Sequence, residues 1–424
     1  MKNAEDGLIR QEEELIGSLS KEGGRYGDRS ASYKAWKSCP VPGRKDEYWK
    51  YTSVSPLLKR SYDLIFNQKA FKGDIIRDES AYSLVFVNGH YSPELSDTID
   101  VKGVVVTSLK DALNSGLLEK TSDEDSESYF NLLNESFYTD GPFISVENNC
   151  SLDKAVHIIH AISESDGLFN IRGHVRLGRG SGLKLVERWQ CARSVSNFFN
   201  THMETEVGEN ASFEFIKLQS IGTENNLISE ENIRQAGDST SSMSTFSLQG
   251  KLIRNNVNVA LLGENANASL NGLFIGNGEQ HIDNHTFVDH RFPHCESNEL
   301  YKGVLEGRAK GVFNGKVIVR QDAQKTNAFQ YNGNILISEN AQVYSKPELE
   351  IYADDVKCSH GSTTGQLDEE ALFYLRSRGI SSKRAKQLLI YAFAGEVLEK
   401  INTPSIRSEL DHYLAERYHI EDDV

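Results

Sequence analysis

The chain has 424 residues, which is enough for two or three domains and a sizeable core. Its 46 Lys and Arg against 61 Asp and Glu give a formal charge of −15, which disfavours nucleic acid and anionic membrane surfaces as partners. No uncharged apolar run reaches the ~18 residues needed to span a bilayer, and residues 1–10 lack the apolar centre of a secretion signal. We therefore expect a cytoplasmic protein.

Residues 1–140 are predicted to form an N-terminal helical and mixed region. Apolar residues at helical spacing predict an amphipathic helix over 4–19, and the aromatic-basic segment 44–52 resembles a short helix. Residues 83–88 have the composition of a buried strand that ends at Asn-Gly, and a helical stretch over 108–137 closes the region.

Residues 141–366 are predicted to form an all-β core. Short β-branched or aromatic runs alternate with turn residues, and no helix-length pattern interrupts them, which excludes βαβ units. A turn phrase of the form Asn-Ala or Asp-Ala recurs, with its alanines at 211, 266, 323 and 341. Because such a corner could repeat on every rung of a stack, we favour a parallel β-helix over a β-sandwich.

Residues 367–424 are predicted to form a C-terminal helical domain. Asp368 is a good N-cap, Leu372 and Phe373 are expected to face inward, and Gly379 ends this helix. The next helix, over 381–401, is apolar on every side along residues 388–394. It could be a docking surface or could be covered by simple three-helix packing, and the sequence does not choose between them.

The densest group of polar residues with possible chemistry lies in residues 281–295. On a strand, His281, Asp283 and His285 would share one face, where they could bind a metal ion. We favour the alternative, a polar ladder along a β-helix, because the spacing matches no tight zinc or facial-triad pattern.

A second group joins the β core to the C-terminal helices. Cys358 and His360 are two residues apart, so on a strand they point the same way, and both are possible metal ligands. The five cysteines are far apart and form no Cys-x-x-Cys pair, so neither a disulfide framework nor a Cys-rich cluster site is indicated. A metal bound here would need histidine, carboxylate or another subunit.

Nucleotide-binding motifs are missing from the sequence. It contains no G-x-x-x-x-G-K-[ST] phosphate loop, and Gly178, Gly180 and Gly182 lack the strand-to-helix setting of a dinucleotide site. We therefore expect this chain to bind no nucleotide.

Several segments together resemble the SufB/SufD family of iron–sulfur cluster assembly proteins. The most specific are residues 349–361 (LEIYADDVKCSHG) and 365–380 (GQLDEEALFYLRSRGI). Residues 47–52, 283–286, 301–303 and 324–326 and the residue Gln330 are also similar to the family. The SufB branch carries a glutamate after the matching histidine, whereas this chain has Gly361, which favours the SufD branch.

The resemblance implies a fold, partners and a site. It implies a right-handed parallel β-helix core with helical regions at both ends, in a complex with a SufB-like subunit and a SufC-like ABC ATPase. His360 would face the SufB-like subunit and help to hold a transient Fe-S cluster shared with it, with Cys358 beside it. The C-terminal helices would dock the ATPase through Leu372, Phe373, Leu388, Leu389, Tyr391 and Phe393.

Other functions stay open at this point. The main alternative is a metal-dependent enzyme that uses His281, Asp283 and His285, and a weaker one is a polysaccharide-binding β-helix. The sequence leaves open the cluster type, the entry of iron and sulfide, a homodimer of the isolated chain and a flavin in the complex. Our leading hypothesis is a scaffold subunit with no turnover of its own.

Overall fold

The protein is a parallel β-helix of about eight turns with helices at both ends. The computed structural model describes residues 8, 9, 12, 16, 29–65, 71, 73–119, 128–192 and 195–420. The prediction of a β-helix core rather than a sandwich is confirmed. None of the described helices is both long and apolar enough to cross a membrane.

Two long sheets form the wall of the β-helix, and the chain alternates between them, with its strands numbered in chain order. Sheet A contains β1 (Asp63–Leu64), β4 (Val104–Ser108), β5 (Pro142–Val146), β7 (Gly167–Leu177), β9 (Phe198–Val207), β11 (Asn226–Gln235), β13 (Leu252–Leu261), β15 (His281–His290), β17 (Lys310–Val319) and β19 (Gln342–Ile351). Sheet B contains β2 (Tyr82–Val87), β3 (His90–Tyr91), β6 (Val156–Ile162), β8 (Gly182–Cys191), β10 (Ser212–Ser220), β12 (Thr240–Gln249), β14 (Asn267–Gly276), β16 (Glu296–Leu305), β18 (Asn327–Leu336) and β20 (Lys357–Gly365).

Both sheets are parallel except at their first strands. β4 pairs with β5, and β2 with β3, in antiparallel fashion. At the other end, the described strands of sheet A stop at β19 and those of sheet B stop at β20. Since β2 already pairs with β6, the sheets begin before residue 141, and part of the N-terminal region belongs to the wall of the β-helix.

One corner of the coil repeats along the molecule. Asn210 and Asn265 adopt the left-handed conformation, with φ of 56° and 60°, and each is followed by a buried alanine, as the turn phrase predicts. Asp238, His294 and Lys325 take the same role on other turns. The small buried residues that follow them form a column, namely Ala211, Ser239, Ala266, Cys295 and Thr326.

For the last two copies of the turn phrase, the prediction that Asp or Asn forms a left-handed corner is wrong. Asp322 and Asn340 are not among the described residues with positive φ, although Ala323 and Ala341 are buried. Asn340 lies between β18 and β19, at the opposite corner of the coil. Ala323 and Ala341 therefore lie at opposite corners of the β-helix, and their spacing does not correspond to one full turn of the coil.

The N-terminal region packs helices against the side of sheet A. Its described helices are α1 (Ser30–Ser38), α2 (Ser55–Leu58), α3 (Leu109–Ser115) and α4 (Tyr129–Phe137), with 3-10 turns at Glu47–Trp49 and Pro93–Leu95. The short helix in 44–52 and the strand at 83–88 are confirmed. The stretch 108–137 forms two helices instead of one, separated by residues outside the described part of the chain.

The predicted helix at 4–19 lies mostly outside the described residues. Leu8 and Ile9 are described and buried, and Ile9 forms a β-bridge with Tyr62. The start of that prediction is therefore wrong, because these two residues pack beside a strand.

The C-terminal region consists of α5 (Glu369–Ser377), α6 (Ser382–Leu398) and α7 (Pro404–Arg417). Asp368 caps α5 as predicted, and Gly379 ends it with a φ of 90°. α6 and α7 bury apolar residues on the outer face of sheet B, which explains the apolar surface of α6. Neither of the two predictions for α6, a docking surface or three-helix packing, included this packing against sheet B.

Candidate functional site

The last described strand, β20, carries both residues that were singled out as an assembly site. β20 pairs with β18 along one edge, with Cys358 beside Ala328 and His360 beside Gln330. Among the described strands, none pairs with its other edge. The backbone donors and acceptors along that edge are therefore available to another chain.

His360 and Cys358 differ in exposure although they point to the same side of the strand. His360 is exposed, whereas Cys358 is half-buried and packs against the main core. Burial raises the pKa of the Cys358 thiol above its ordinary value, so the thiol is neutral at pH 7 in this chain alone. The imidazole is thus the accessible donor, and the thiol lies just behind it.

A groove runs along the outer face of sheet B and ends beside His360. Its volume is about 1080 Å³. Its lining includes Ser242, Asn271 and Phe329, and it reaches Tyr331 and His360 at the last strands. The groove therefore borders the terminal strand from outside, whereas the side chains of Cys358 and His360 lie on the inner side of that strand.

The surface around β19 and β20 is rich in exposed aromatic and aliphatic side chains. Tyr344, Ile351 and Tyr352 lie at or just after β19, and Phe329 and Tyr331 lie on β18. Their exposed fractions range from 37% for Tyr344 to 62% for Tyr352. Tyr344 lies on the outer face of sheet A, whereas Phe329 and Tyr331 lie on that of sheet B. Exposed apolar side chains on both sides of unpaired strand edges are typical of a protein interface.

The residues predicted to dock an ATPase divide into two groups. Phe373 on α5 is 73% exposed, so the prediction that it faces inward is wrong, whereas Leu372 beside it is half-buried. Because α5 follows β20, the last described strand, the described part of the chain offers it no further turn of the β-helix to cover. Leu372, Leu388 and Leu389 are half-buried.

Tyr391 and Phe393 on α6 pack against the chain's own core. Both are partly buried in the cluster that joins α6 and α7 to sheet B. The Lys302 ammonium lies 4.2 Å from the centre of the Phe393 ring and donates to the Phe393 carbonyl at 3.1 Å. The two aromatic residues therefore hold α6 in place, whatever else they contact.

The group at His281, Asp283 and His285 is occupied by protein contacts. The three side chains share the outer face of β15, as period-two alternation predicts. Thr52 Oγ1 lies 2.8 Å from His281 Nε2 and donates to Asp283 at 2.5 Å, and His285 Nε2 lies 2.9 Å from Asp283. Arg254 also donates to Asp283, at 2.6 Å.

The electrostatics of this group also favour a structural role. Burial alone would raise the pKa of Asp283, but His285 and Arg254 beside it lower that pKa well below its ordinary value. Burial lowers the pKa values of His281 and His285, so both favour the neutral form. Within the described residues, no three or more His, Cys, Asp or Glu side chains could hold a metal ion together. The structure thus gives the metal-dependent alternative no support.

The interior of the β-helix holds charged and polar residues to which the sequence pattern assigned no role. Lys217 is fully buried between Glu231, with which it forms an ion pair, and Glu187, at 3.8 Å. His160 Nε2 lies 3.0 Å from Glu187. Glu299 and Gln330 are also buried, closer to the open end. A repeat of about thirty residues for each turn of the β-helix would have revealed the residues near the open end. That repeat places Gln330 and His360 at the same position on adjacent strands.

Comparisons with known proteins cover almost the whole chain. Residues 160–393 match the family model "SUF system FeS cluster assembly, SufBD core domain", and residues 7–158 match "SufBD protein N-terminal region". The iron–sulfur cluster assembly protein SufD of Escherichia coli K12 is 32% identical over 87% of this chain and 88% of its own.

Two further relatives agree over most of their length. An iron–sulfur cluster assembly SufBD family protein of Synechocystis is 32% identical over 88% of this chain and 86% of its own. The chloroplastic protein ABCI7 of Arabidopsis thaliana is 28% identical over 91% of this chain and 84% of its own.

Proposed function

The chain belongs to the SufBD family of iron–sulfur cluster assembly proteins, and we propose that it is a SufD-like scaffold subunit within that family. In this role it assembles with a SufB-like subunit and a SufC-like ATPase and has no turnover of its own. It contributes His360, with Cys358 behind it, to the site where a nascent cluster is built. The observation that carries this proposal is the exposed imidazole of His360 on β20, whose second edge pairs with no described strand.

The chemistry of the donors supports a shared site. Iron–sulfur clusters are held by several thiolate or imidazole ligands, commonly four. The terminal strand offers one exposed imidazole and one half-buried thiol, and the described part of the chain has no larger group of metal-binding side chains. The cluster is the cargo of this site, so a second subunit must supply the remaining ligands.

The free edges of β19 and β20 support the position of the SufB-like subunit. A strand from a partner can add to an unpaired edge through backbone hydrogen bonds, while side chains on either face give specificity. The exposed Tyr344 and Tyr352 lie at the end of this coil and can be buried by such a partner. Docking there would bring the ligands of the partner to His360.

The C-terminal helices support the position of the ATPase. α5 exposes Phe373 and Tyr374 at 73% and 58%, and these large apolar surfaces lie on a helix without buried residues. We place the SufC-like ATPase on α5 and on the neighbouring half-buried Leu388 and Leu389 of α6. Since this chain has no phosphate loop, ATP would bind to the partner.

The assembly site is tested with the purified complex of the three proteins. In the H360A variant we expect the complex to form normally while its bound iron and sulfide fall at least about 10-fold, because losing even a residue that only orients a metal ligand typically costs about 10- to 100-fold in affinity. The matched control is H412A, which removes another exposed histidine, on α7. Unchanged iron and sulfide in H360A would overturn the assignment of His360.

The ATPase position is tested by co-purification. A chain that ends at Leu367 should lose the ATPase, but it also uncovers the apolar outer face of sheet B. The sharper test is F373E, which should retain the SufB-like subunit and weaken ATPase binding without unfolding α5, because Phe373 is exposed. Retained ATPase binding by the shortened chain would move the docking surface elsewhere.

A further inference from the structure

Three residues on the last strands of sheet B stand at one register position. Glu299 of β16 pairs with Gln330 of β18, which in turn pairs with His360 of β20. Neighbouring strands in a sheet lie about 4.8 Å apart, so side chains at one register position stack directly upon each other. Gln330 therefore separates His360 from Glu299.

This column points into the β-helix. Phe329 and Tyr331, the neighbours of Gln330 along β18, are 44% and 39% exposed on the outer face. Gln330 and Glu299 are 2% and 4% exposed, which places them on the inner face. His360 shares this side of the sheet, and it is exposed because β20 is the last described strand.

The two buried members of the column have unused hydrogen-bonding atoms. Glu299 Oε2 accepts from Thr286 Oγ1 at 2.6 Å. Glu299 Oε1 and both amide atoms of Gln330 have no hydrogen-bond partner among the described residues. Because a buried polar atom without a partner destabilises the folded state, three such atoms side by side indicate a site built for an additional contact.

The surroundings keep the Gln330 amide next to Glu299. A Cβ atom on Gly315 of β17 would lie only 2.3 Å from Gln330 Nε2, so a glycine is needed to make room for the amide. Burial raises the pKa of Glu299 to about 7, and the Thr286 hydroxyl opposes that rise. The Gln330 amide also opposes it, because it lies near the carboxyl although the two do not meet hydrogen-bond geometry. Tyr301, two residues further along β16, lies within electrostatic range of Glu299 and Glu231, and burial raises its pKa. No described cation forms an ion pair with Glu299.

We propose that Gln330 and Glu299 are positioning residues for His360. In this arrangement the Gln330 amide oxygen accepts from one N–H of the His360 ring, and the Gln330 NH₂ group donates to Glu299 Oε1. These two hydrogen bonds give partners to all three unused atoms. They also hold His360 in the tautomer whose other nitrogen presents its lone pair to iron at the open end of the β-helix.

The known behaviour of metal-bound histidines explains why these two hydrogen bonds would help His360 to bind iron. A histidine ligand usually donates its second ring N–H to a carbonyl or carboxylate, which fixes the tautomer and raises its basicity. Loss of such a partner typically weakens metal binding about 10- to 100-fold. The inference rests on the proposed role of His360 and adds the two residues that prepare it.

The test uses the full chain in its complex with the SufB-like and SufC-like proteins. Ferrous iron is titrated with sulfide in excess, and the iron concentration for half-maximal cluster formation is measured. We expect Q330M and E299L to raise it about 10- to 100-fold, because Q330M removes both hydrogen bonds and E299L removes the one that orients the Gln330 amide. E299Q keeps an oxygen acceptor for the Gln330 amide and should restore most of the affinity.

The matched control is T245V. Thr245 is a buried residue on the inner face of sheet B whose hydroxyl also lacks a described partner, but it lies on β12, away from the open end. T245V should leave the iron dependence unchanged. If T245V raised the iron concentration for half-maximal cluster formation as much as Q330M does, the effect of Q330M would reflect disturbed packing of the core, and the inference would be overturned.

A second measurement does not depend on cluster assembly. In the full chain labelled with ¹⁵N-histidine, the His360 signals are assigned by their loss in H360A. We expect one dominant ring tautomer in the wild type and a mixture in Q330M. Identical tautomer ratios together with identical iron dependence would overturn the inference, whereas unchanged assembly in H360A would overturn the proposed function itself.

Discussion

Arg254 Nη1 donates to Asp283 Oδ2 at 2.6 Å, and the two side chains are only 2% and 1% exposed. The guanidinium also lies 3.8 Å from the centre of the Trp49 ring and donates to the Tyr48 carbonyl. This ion pair therefore fastens residues 46–52 onto sheet A. The same segment also contacts β19, the last described strand of sheet A, since Tyr51 stacks on Tyr344 with ring centroids 4.4 Å apart.

Loss of the Asp283 charge should destabilise the protein strongly. D283N leaves Arg254 buried without a counter-charge, and we expect the free energy of unfolding to fall by about 3–5 kcal/mol. Urea denaturation measures the change. D355N is the control, because it breaks the exposed pair with Lys325, where the loss should stay below about 1 kcal/mol. Equal losses in both variants would show that Asp283 is not a structural anchor.

The ionisation of Glu299 should make stability fall as the pH rises. Burial raises the pKa of Glu299 from 4.5 to about 7, so the folded chain holds a proton that the unfolded chain releases earlier. The stability that this proton provides is complete below pH 4.5 and is lost as the pH rises through about 7. The full loss corresponds to about 3 kcal/mol.

The E299Q variant isolates this effect because it cannot ionise. Relative to the wild type, its free energy of unfolding should rise by about 3 kcal/mol between pH 4.5 and pH 8. Denaturation curves at several pH values check this difference. A difference that does not change with pH would mean that Glu299 has an ordinary pKa.

A methyl group at Gly272 should disturb the core. A Cβ atom there would lie 2.2 Å from Cε1 of Tyr301, and Tyr301 is buried. We expect G272A to lower the free energy of unfolding by about 1–3 kcal/mol through overpacking. In G365A the new Cβ would meet no atom within 4 Å, so its stability should hardly change. Thermal unfolding of the two variants compares them, and equal stability would contradict the packing around Tyr301.

The terminal coil should carry the binding energy for the SufB-like subunit. Tyr352 is 62% exposed there, and we expect Y352E to weaken binding at least about 10-fold, because buried aromatic residues dominate protein interfaces. I76E changes a residue that is 70% exposed in the N-terminal region and should bind normally. Calorimetric titration measures both affinities. If I76E weakened binding and Y352E did not, the interface would lie at the N-terminal end.

The repeating core could be predicted because it depends on local patterns. Alternation along β15 correctly separates His281, Asp283 and His285 from Asn284 and Thr286, since successive strand residues face opposite sides. The corner at Asn210 and Asn265 was also readable, because Asn tolerates positive φ. Both features need only neighbouring residues.

The remaining features depend on contacts between distant parts of the chain. Thr52 and Asp283 form a hydrogen bond although they are 231 residues apart, and no local pattern reveals such a contact. In the sequence, this structural group of His281, Asp283 and His285 therefore resembled a metal site. The exposed position of Phe373 depends on α5 lying beyond the last strand, where nothing described covers it. Glu299 and Gln330 could be paired with His360 only once the length of the coil was known.

The most direct measurement asks whether His360 binds the cluster itself. The chain is labelled with ¹⁵N-histidine and combined with unlabelled SufB-like and SufC-like proteins, and the paramagnetic cluster formed on the complex is studied by pulsed electron paramagnetic resonance. We expect a ¹⁵N hyperfine coupling from one imidazole that is present in the wild type and in H412A and is lost in H360A. A cluster that shows no ¹⁵N coupling in the wild-type complex would contradict a role for His360 as a cluster ligand.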